Sequence, residues 1–416
     1  FKRAADQGHI ESIIKYAIML YEGDGIAKNK EEAARYFKLA GDKGDSESMS
    51  KYEKIISENK ENTQKMQETS ADQSNTESSK SIKTSADKGD IESIVKYAKI
   101  LYEGNGIPIN KKESSRYFRL AADQGHIESM YKYAKMLQEG DGIGKNRKKA
   151  LEYFKQAADQ GHCESIHNYG LMLYRGEGIT KNKEEAARYF KIAIDQGNAE
   201  SMYYYANMLY KGDGLTKNKE AVARYYKISC DKGNAHSMFN YALMLDKGDG
   251  IEENKTEALR YLKLAVDKGD VDSIKYYANM LSEGEEIEKN EKEAARYYKI
   301  AADKGDVDSM NSYANRLFYG KGIEMNQKEA ARYYKLAADK GDLFSMRDYA
   351  NMNYGGVGIK INKKEAARYY KLAADKGNIF SMRCYAYMIS NGDGIEINKE
   401  EATRYYNLAS DESRYP

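Results

Sequence analysis

A serine three residues before a lysine recurs four times in register early in this chain, and this spacing can activate a nucleophile. On a helix it places a hydroxyl nucleophile beside an amine, as in serine hydrolases that act on β-lactams. A Tyr-x-Asn spacing that echoes a second motif of those enzymes also recurs four times at one repeat position, but no Lys-Thr-Gly or Lys-Ser-Gly completes the set. Because four copies in register indicate a structural position, we predict no catalytic residue. The pairs are Ser12/Lys15, Ser48/Lys51, Ser93/Lys96 and Ser129/Lys132, with Tyr205/Asn207, Tyr277/Asn279, Tyr313/Asn315 and Tyr349/Asn351.

Two other patterns resemble ligand sites. Gly-x-Gly loops precede predicted helices, but none has the spacing of a phosphate-binding loop and no strand leads into them. Cys163 and His167 are four residues apart, so they would share a helix face with His162 nearby, as two zinc ligands would. A third and a fourth ligand are not evident. We therefore predict neither a metal nor any other cofactor.

All these motifs belong to one internal repeat. The string Ala-Ala-Asp-Lys/Gln-Gly, or its equivalent, recurs every 36 residues, with a single interval of 45 between Gly44 and Gly89. Self-similarity at this period is typical of solenoid proteins, and it covers residues 8–412. The repeated glycines are Gly8, Gly44, Gly89, Gly125, Gly161, Gly197, Gly233, Gly269, Gly305, Gly341 and Gly377.

Each repeat predicts a pair of helices. In 305–340, a first apolar face is spaced i, i+3, i+4, i+7 and a second i, i+4, i+7, i+8, which is the helical period. Asp306 is a predicted N-cap, and Gly341 is predicted to end the second helix in the left-handed conformation. A single hairpin is too small to bury its own apolar face, so the fold class is all-α: a right-handed α-solenoid of about eleven hairpins. The apolar positions are Met310, Tyr313, Ala314 and Leu317, then Ala330, Tyr334, Ala337 and Ala338.

The repeat resembles a known family. Tyr313 through Ile323 and Asn326 through Gly341 are similar to the Sel-one-like repeat (SLR) of the tetratricopeptide-like superfamily, and the likeness extends over essentially the whole chain. One departure is a serine at the fifth position of every repeat, where the family more often has alanine. The resemblance implies a scaffold or adaptor that assembles protein complexes. A cysteine-rich bacterial branch of the family is linked to β-lactam hydrolysis.

The irregular repeat divides the predicted domains. Residues 1–58 hold a partial helix, the first repeat and the first helix of the irregular one, which we expect to run from Glu47 to Ser57. Residues 59–88 lack the Gly-x-Gly loop, and the segment from Asn59 to Thr84 has no aromatic residue, so we predict a flexible or loosely helical polar hinge there. Nine regular repeats follow over 89–412, with a tail at 413–416.

Composition excludes several classes of protein. No apolar run approaches the roughly 20 residues of a membrane span. The net charge of +2 argues against nucleic acid as a partner. Three scattered cysteines favour a reducing compartment, so we expect a cytoplasmic location. Since the chain opens inside a predicted helix without an initiator methionine, we interpret it as a fragment, and an upstream signal stays open.

Partner binding is predicted where the repeats differ. The first helix varies at three solvent-side positions, and if first helices line the concave face these positions form one groove. Asparagine amides there could bond an extended peptide backbone, and aromatic rings could anchor it. The predicted partner-binding residues are Tyr131, Lys135, His167, Tyr203, Tyr204, Asn207, Phe239, Tyr276, Asn279, Asn315, Arg347, Asn351, Arg383 and Tyr387.

The predicted function is that of a non-enzymatic scaffold that binds a protein or peptide in this groove. Two alternatives stay open. The array could be the recognition arm of a larger signalling protein, such as a kinase, or, less plausibly, a β-lactamase-like hydrolase. The oligomeric state is unknown. Of the 38 tyrosines, 26 fall at repeat positions expected to pack hairpins together, which leaves few for binding.

Overall fold

A computed structural model describes residues 1–284 and 286–410, and the side chains of all of these except 58–77. In this part of the chain the secondary structure is entirely helical. The helices are α1 (Lys2–Asp6), α2 (Ile10–Glu22), α3 (Lys30–Gly41), α4 (Ser46–Asp87), α5 (Ile91–Glu103), α6 (Lys111–Asp123), α7 (Ile127–Glu139), α8 (Arg147–Asp159), α9 (Cys163–Arg175), α10 (Lys183–Asp195), α11 (Ala199–Lys211), α12 (Lys219–Asp231), α13 (Ala235–Lys247), α14 (Lys255–Asp267), α15 (Val271–Glu283), α16 (Glu291–Asp303), α17 (Val307–Tyr319), α18 (Gln327–Asp339), α19 (Leu343–Gly355), α20 (Lys363–Asp375), α21 (Ile379–Asn391) and α22 (Lys399–Ser410).

Capping residues set the helix ends, as the repeat predicts. In hairpin 305–340, the Asp306 carboxylate accepts from the Ser309 N–H and Asn326 accepts from the Glu329 N–H, so each helix begins with a satisfied donor. Gly320 ends α17 at φ 70°, and Gly341 follows α18 at φ 103°. Both lie in the left-handed region that glycine adopts without a Cβ clash. The predicted apolar positions of this hairpin are all buried.

A tyrosine pair holds each regular hairpin together. Each regular second helix carries a tyrosine followed directly by Phe, Tyr or Leu, and we call these two adjacent residues the doublet. The tyrosine of the first helix meets the tyrosine that begins the doublet edge to face, as Tyr313 meets Tyr333 with ring centroids 4.9 Å apart. Such pairs stabilise by about 0.5–1.5 kcal/mol beyond their buried area. The same contact joins Tyr16/Tyr36, Tyr97/Tyr117, Tyr133/Tyr153, Tyr169/Tyr189, Tyr205/Tyr225, Tyr241/Tyr261, Tyr277/Tyr297, Tyr349/Tyr369 and Tyr385/Tyr405.

The doublet tyrosine also links consecutive hairpins. Tyr333 donates its hydroxyl to Asp303, the last residue of the preceding second helix, at 2.8 Å. Tyr117 donates to Asp87 and Tyr153 to Asp123 in the same way. One repeated tyrosine therefore packs inside its own hairpin and bonds the neighbour. This explains the high tyrosine content better than any binding role.

The irregular repeat forms one long helix. We expected its first helix to end near Ser57, but α4 continues to Asp87, where Lys88 and Gly89 end it. Because the Gly-x-Gly loop is absent, nothing in the sequence interrupts the backbone hydrogen bonding. The side chains of 58–77 lie outside the described residues, so the predicted hinge stays a prediction.

The chain divides into two compact units. The first unit comprises residues 1–165 and 177–179, and the second comprises 166–176 and 180–416. Within each unit, consecutive helices pack against each other to form stacked hairpins. The fold is therefore an α-solenoid, as the repeat predicts.

Candidate functional site

The serines of the Ser-x-x-Lys motif are parts of helix caps. Ser129 is fully buried, and its hydroxyl lies 2.8 Å from Nδ1 of the capping His126. The Ser129 N–H donates to the same nitrogen. The Lys132 ammonium lies 3.9 Å from the Glu128 carboxylate. A hydroxyl with no exposed surface cannot meet a substrate, so this geometry offers no nucleophile.

The histidines beside Cys163 have separate partners. Nδ1 of His162 accepts from the Ser165 N–H, and its Nε2 lies 3.3 Å from Glu128. His167 bonds instead to the Ser201 hydroxyl at 2.9 Å. Among the described residues, no cluster of three or more histidine, cysteine, aspartate or glutamate side chains could hold a metal ion.

The asparagines predicted to bind a peptide backbone each accept a hydrogen bond from inside their own hairpin. The Asn315 side-chain oxygen accepts from the Tyr334 hydroxyl at 2.9 Å, and Asn351 accepts from Tyr370 at 2.6 Å. Asn207 accepts from Tyr226 at 2.8 Å, and Asn279 accepts from Tyr298. These tyrosines are the second members of the doublet, and all four are buried. Their hydroxyls need an acceptor, and the asparagine supplies it.

The sequence carries a signal for this pairing. Asparagine occupies the first-helix position only in hairpins whose doublet ends in Tyr, namely 197–232, 269–304, 305–340 and 341–376. Where the doublet ends in Phe or Leu, no hydroxyl needs an acceptor, and the partner is Ile, Lys or Leu. The last hairpin pairs Tyr387 with Tyr406. A comparison among first helices alone predicts asparagines free to bind a peptide, because the residues that they accept from lie on the second helices.

Polar side chains at another of the three variable first-helix positions bond to the next hairpin. Lys275 donates to Asp306 at 3.1 Å and to Asp308 at 3.0 Å, and Asn311 donates to the Ser345 hydroxyl at 2.7 Å. His167 contacts Ser201 in the equivalent way. These side chains therefore join the cap of one first helix to the preceding first helix.

Aromatic side chains at the variable first-helix positions pack on each other in the second unit. Tyr204 stacks on Phe190 at 5.6 Å with the rings 14° apart, and Tyr203 meets Tyr204 edge to face. Farther along the chain, Phe239 meets Tyr276 edge to face at 5.8 Å. Tyr203, Tyr204, Phe239 and Tyr276 are half-buried, so part of each side chain stays exposed to solvent. We call these four residues the aromatic row.

Arg383 and Tyr387 line a pocket of about 560 Å³ near the end of the described chain, beside Tyr370 and Phe380. Both residues are exposed. Arg347 lies elsewhere and pairs with the adjacent Asp348 at 2.8 Å.

Tyr131 and Lys135 lie in the first unit, at a pocket of about 400 Å³. Tyr131 packs against His162 and Phe154, and burial raises its pKa. Lys135 forms an ion pair with Glu139 at 2.6 Å.

No helix within the described residues is long and apolar enough to cross a membrane.

Comparisons with known proteins identify the repeat. The Sel1 repeat model matches ten segments: residues 10–45, 91–126, 127–162, 163–198, 199–234, 235–270, 271–306, 307–342, 343–378 and 381–413. No curated protein matches the sequence significantly.

Two solved structures show the same fold. One is a protective antigen of uropathogenic Escherichia coli with an SLR fold, at 24% identity and a TM-score of 0.54, covering 99% of this chain and 78% of the other. The second is a Sel1 repeat protein from Oxalobacter formigenes, at 20% identity and a TM-score of 0.56, covering 74% and 90%. The matched segments cover most of the sequence, and each regular segment contains one pair of helices of the structure. The chain therefore belongs to the Sel1 repeat family.

Proposed function

We propose that this protein is an interaction scaffold that binds a segment of a partner protein along the first helices of its second unit. The observation that carries the proposal is the aromatic row. Its rings recur at the variable positions of α11, α13 and α15, and each side chain is partly exposed to solvent. Tyrosine is enriched among the residues that dominate binding energy, and phenylalanine is enriched at the cores of protein interfaces.

The asparagines have a smaller part in this proposal. Their side-chain oxygens already accept from buried tyrosines, and the Asn315 amide nitrogen also donates to Asn311. Replacing Asn279, Asn315 and Asn351 with alanine would strand three tyrosine hydroxyls and lower stability as well as binding. A test of partner binding therefore has to avoid them.

A random peptide display library, selected against the full chain, tests the proposal. We expect selected peptides to lose at least about tenfold in affinity, measured by fluorescence anisotropy, when Tyr203, Phe239 or Tyr276 is changed singly to alanine. Such losses of about 1.4 kcal/mol or more are typical of anchor residues.

Ile192→Ala and Ile228→Ala are matched controls. Both side chains are large, apolar and exposed, at 47% and 46%, but lie on second helices. We expect affinity to stay within about twofold for them. Peptides that respond to the two isoleucines and ignore the aromatic row would overturn the proposal, as would a selection that yields no binding peptide.

A further inference from the structure

A pocket of about 260 Å³ opens between hairpins 233–268 and 269–304, inside the second unit. Its apolar wall includes Leu243, Leu262 and Met280, and its rim carries the carboxylates of Asp246 and Glu286. Tyr276 of the aromatic row forms one side.

Two departures from the repeat create this pocket. The doublet of hairpin 233–268 ends in Leu262, whereas the doublets of all the remaining regular hairpins end in Phe or Tyr. All the remaining regular repeats have a glycine as the second glycine of the Gly-x-Gly loop, but repeat 269–304 has Glu286 at that position. That glycine normally lies against the preceding second helix: a Cβ on Gly250 would come within 2.5 Å of the Lys219 Cβ. A loop with Glu286 therefore cannot approach the preceding second helix as closely as a loop with glycine. Because Leu262 stands where other hairpins have an aromatic ring, space is left beside that loop.

The next interface along the chain shows what fits such a space. Between hairpins 269–304 and 305–340, Arg316 is buried, with its guanidinium carbon 4.1 Å from the centre of the Tyr298 ring. Its Nη2 donates to the Ser282 hydroxyl at 2.6 Å and lies 3.5 Å from the Glu291 carboxylate.

The repeat relates the two interfaces residue by residue. Thirty-six residues earlier, Met280 stands for Arg316, Leu262 for Tyr298 and Asp246 for Ser282. The pocket thus lacks the internal arginine but keeps the apolar floor. It also replaces the hydroxyl acceptor with a carboxylate, which bonds a guanidinium more strongly.

The charges around the pocket favour a cation. The half-buried Asp246 carboxylate makes no hydrogen bond or ion pair with the residues that the structure describes, and Glu283 and Glu286 are exposed nearby. Burial and then the charges of Asp246, Glu286 and Glu283 raise the pKa of Tyr276, which lines the pocket with Asp246 and Glu286. Lys255 is the opposing charge at the rim, and its ammonium lies 4.0 Å from Glu253.

We propose that this pocket binds the arginine side chain of a partner protein segment, with its stem against Leu262 and Met280 and its guanidinium on Asp246. The inference rests on the proposed function, since it names one residue of the segment bound beside the aromatic row. Arginine suits the pocket better than lysine, because a planar guanidinium can stack on a ring and bond a carboxylate with two N–H groups.

The probe is Nα-acetyl-arginine amide, titrated into the full chain while methyl NMR signals of Leu243, Leu262 and Met280 are followed. We expect saturable shifts with a dissociation constant on the order of 1 mM, as suits a ligand of this size. The citrulline analogue, neutral but similar in shape, should shift none of them. The lysine analogue should bind several-fold more weakly.

Two variants copy residues of the neighbouring hairpin. Asp246→Ser should weaken binding at least about tenfold, because the carboxylate is lost. Leu243→Asn with Leu262→Tyr should abolish it by filling the space with the pair present at Asn279 and Tyr298. Circular dichroism checks their folding; if the double variant loses helicity, Leu262→Phe carries the same expectation.

Equal binding of the citrulline analogue, unchanged affinity of Asp246→Ser, or shifts confined to methyl groups elsewhere would overturn the assignment. The measurement needs no partner segment, so its failure leaves the peptide test of the aromatic row unaffected. Conversely, arginine binding without any selected peptide would overturn the proposed function and leave the pocket standing.

Discussion

At the scale of single residues, the Asn–Tyr pairs stabilise the packing inside a hairpin, and this role explains the asparagines without a bound partner. Tyr334 is 2% exposed, and its hydroxyl depends on Asn315 for an acceptor. A buried hydroxyl without a partner costs about 1–3 kcal/mol, whereas removing both polar groups can be nearly neutral. The chain itself holds the apolar version of the pair, since Leu171 and Phe190 occupy these positions in an earlier hairpin.

A double-mutant cycle tests this pairing. We expect Asn315→Leu to lower the free energy of unfolding by about 1–3 kcal/mol, because the Tyr334 hydroxyl loses its acceptor. Adding Tyr334→Phe should recover most of that loss. Chemical denaturation of the four proteins gives the coupling energy, and additive losses would contradict the pairing.

The tyrosines that bond aspartates make stability depend on alkaline pH. Burial and the hydrogen bond to Asp375 raise the pKa of Tyr405 to about 12, and the hydrogen bond to Asp6, then burial, raise that of Tyr36 to about 12. The folded state therefore holds these protons more tightly than the unfolded chain. Their contribution is complete below pH 10 and is lost as pH rises towards 12.

We accordingly expect the free energy of unfolding to fall between about pH 10 and 12, and to fall less steeply in Tyr405→Phe, which has no phenol to ionise. Denaturation at pH 8, 10 and 11 measures the two slopes. If the variant and the parent decline in parallel above pH 10, the tyrosine is not responsible.

At the scale of elements, the loops decide how closely hairpins approach. The second loop glycine, Gly322, has φ 74°, and a Cβ there would lie 2.1 Å from the Glu291 carbonyl oxygen. Gly305 also has a positive φ, of 100°, but a Cβ there would meet nothing within 4 Å. Both glycines have a positive φ, but only Gly322 lies against the backbone of the neighbouring hairpin.

Alanine at each position separates these effects. Gly305→Ala should cost about 1–2 kcal/mol, the usual penalty of the left-handed conformation. Gly322→Ala should cost at least about twice as much, because the loop must also move away from α16. Thermal and chemical unfolding provide the comparison. Equal losses would show that the loop contact contributes nothing to stability.

At the scale of the whole molecule, cohesion comes from neighbours in sequence. Substantial helix contacts within the described residues join consecutive helices, such as α2 with α3 and α3 with α4. Stability in such an array is approximately a sum of hairpin and interface terms, and damage to one hairpin should stay local.

Phe37→Ala tests this locality. The ring is 1% exposed, and its removal should cost about 3–5 kcal/mol in its own hairpin. Hydrogen exchange should lose protection in α1–α4 and keep it in α13–α22. Leu39→Ala, a 40% exposed neighbour on the same helix, should change neither region. A uniform loss of protection along the chain would contradict the nearest-neighbour description.

Much of the fold could be predicted, because helix caps, apolar spacing and glycines are local and recur ten times. The site could be predicted less well. Asn315 and Tyr334 are on different helices, so comparing first helices alone could not show that one serves the other. The continuation of α4 from Ser57 to Asp87 could not be predicted from composition, because a polar segment without aromatic residues fits a flexible hinge as well as a loosely helical one.

The sequence by itself therefore determined the repeat, the hairpin and the family, because each depends on residues close together in the chain. The tertiary structure decided which variable side chains are committed to packing and which stay open, since hydrogen bonds and ring contacts form between helices. It also placed Leu262, Asp246 and Glu286 around one pocket, and aligned that pocket with the interface where Arg316 is buried. Those relations depend on stacking, which a single repeat does not contain.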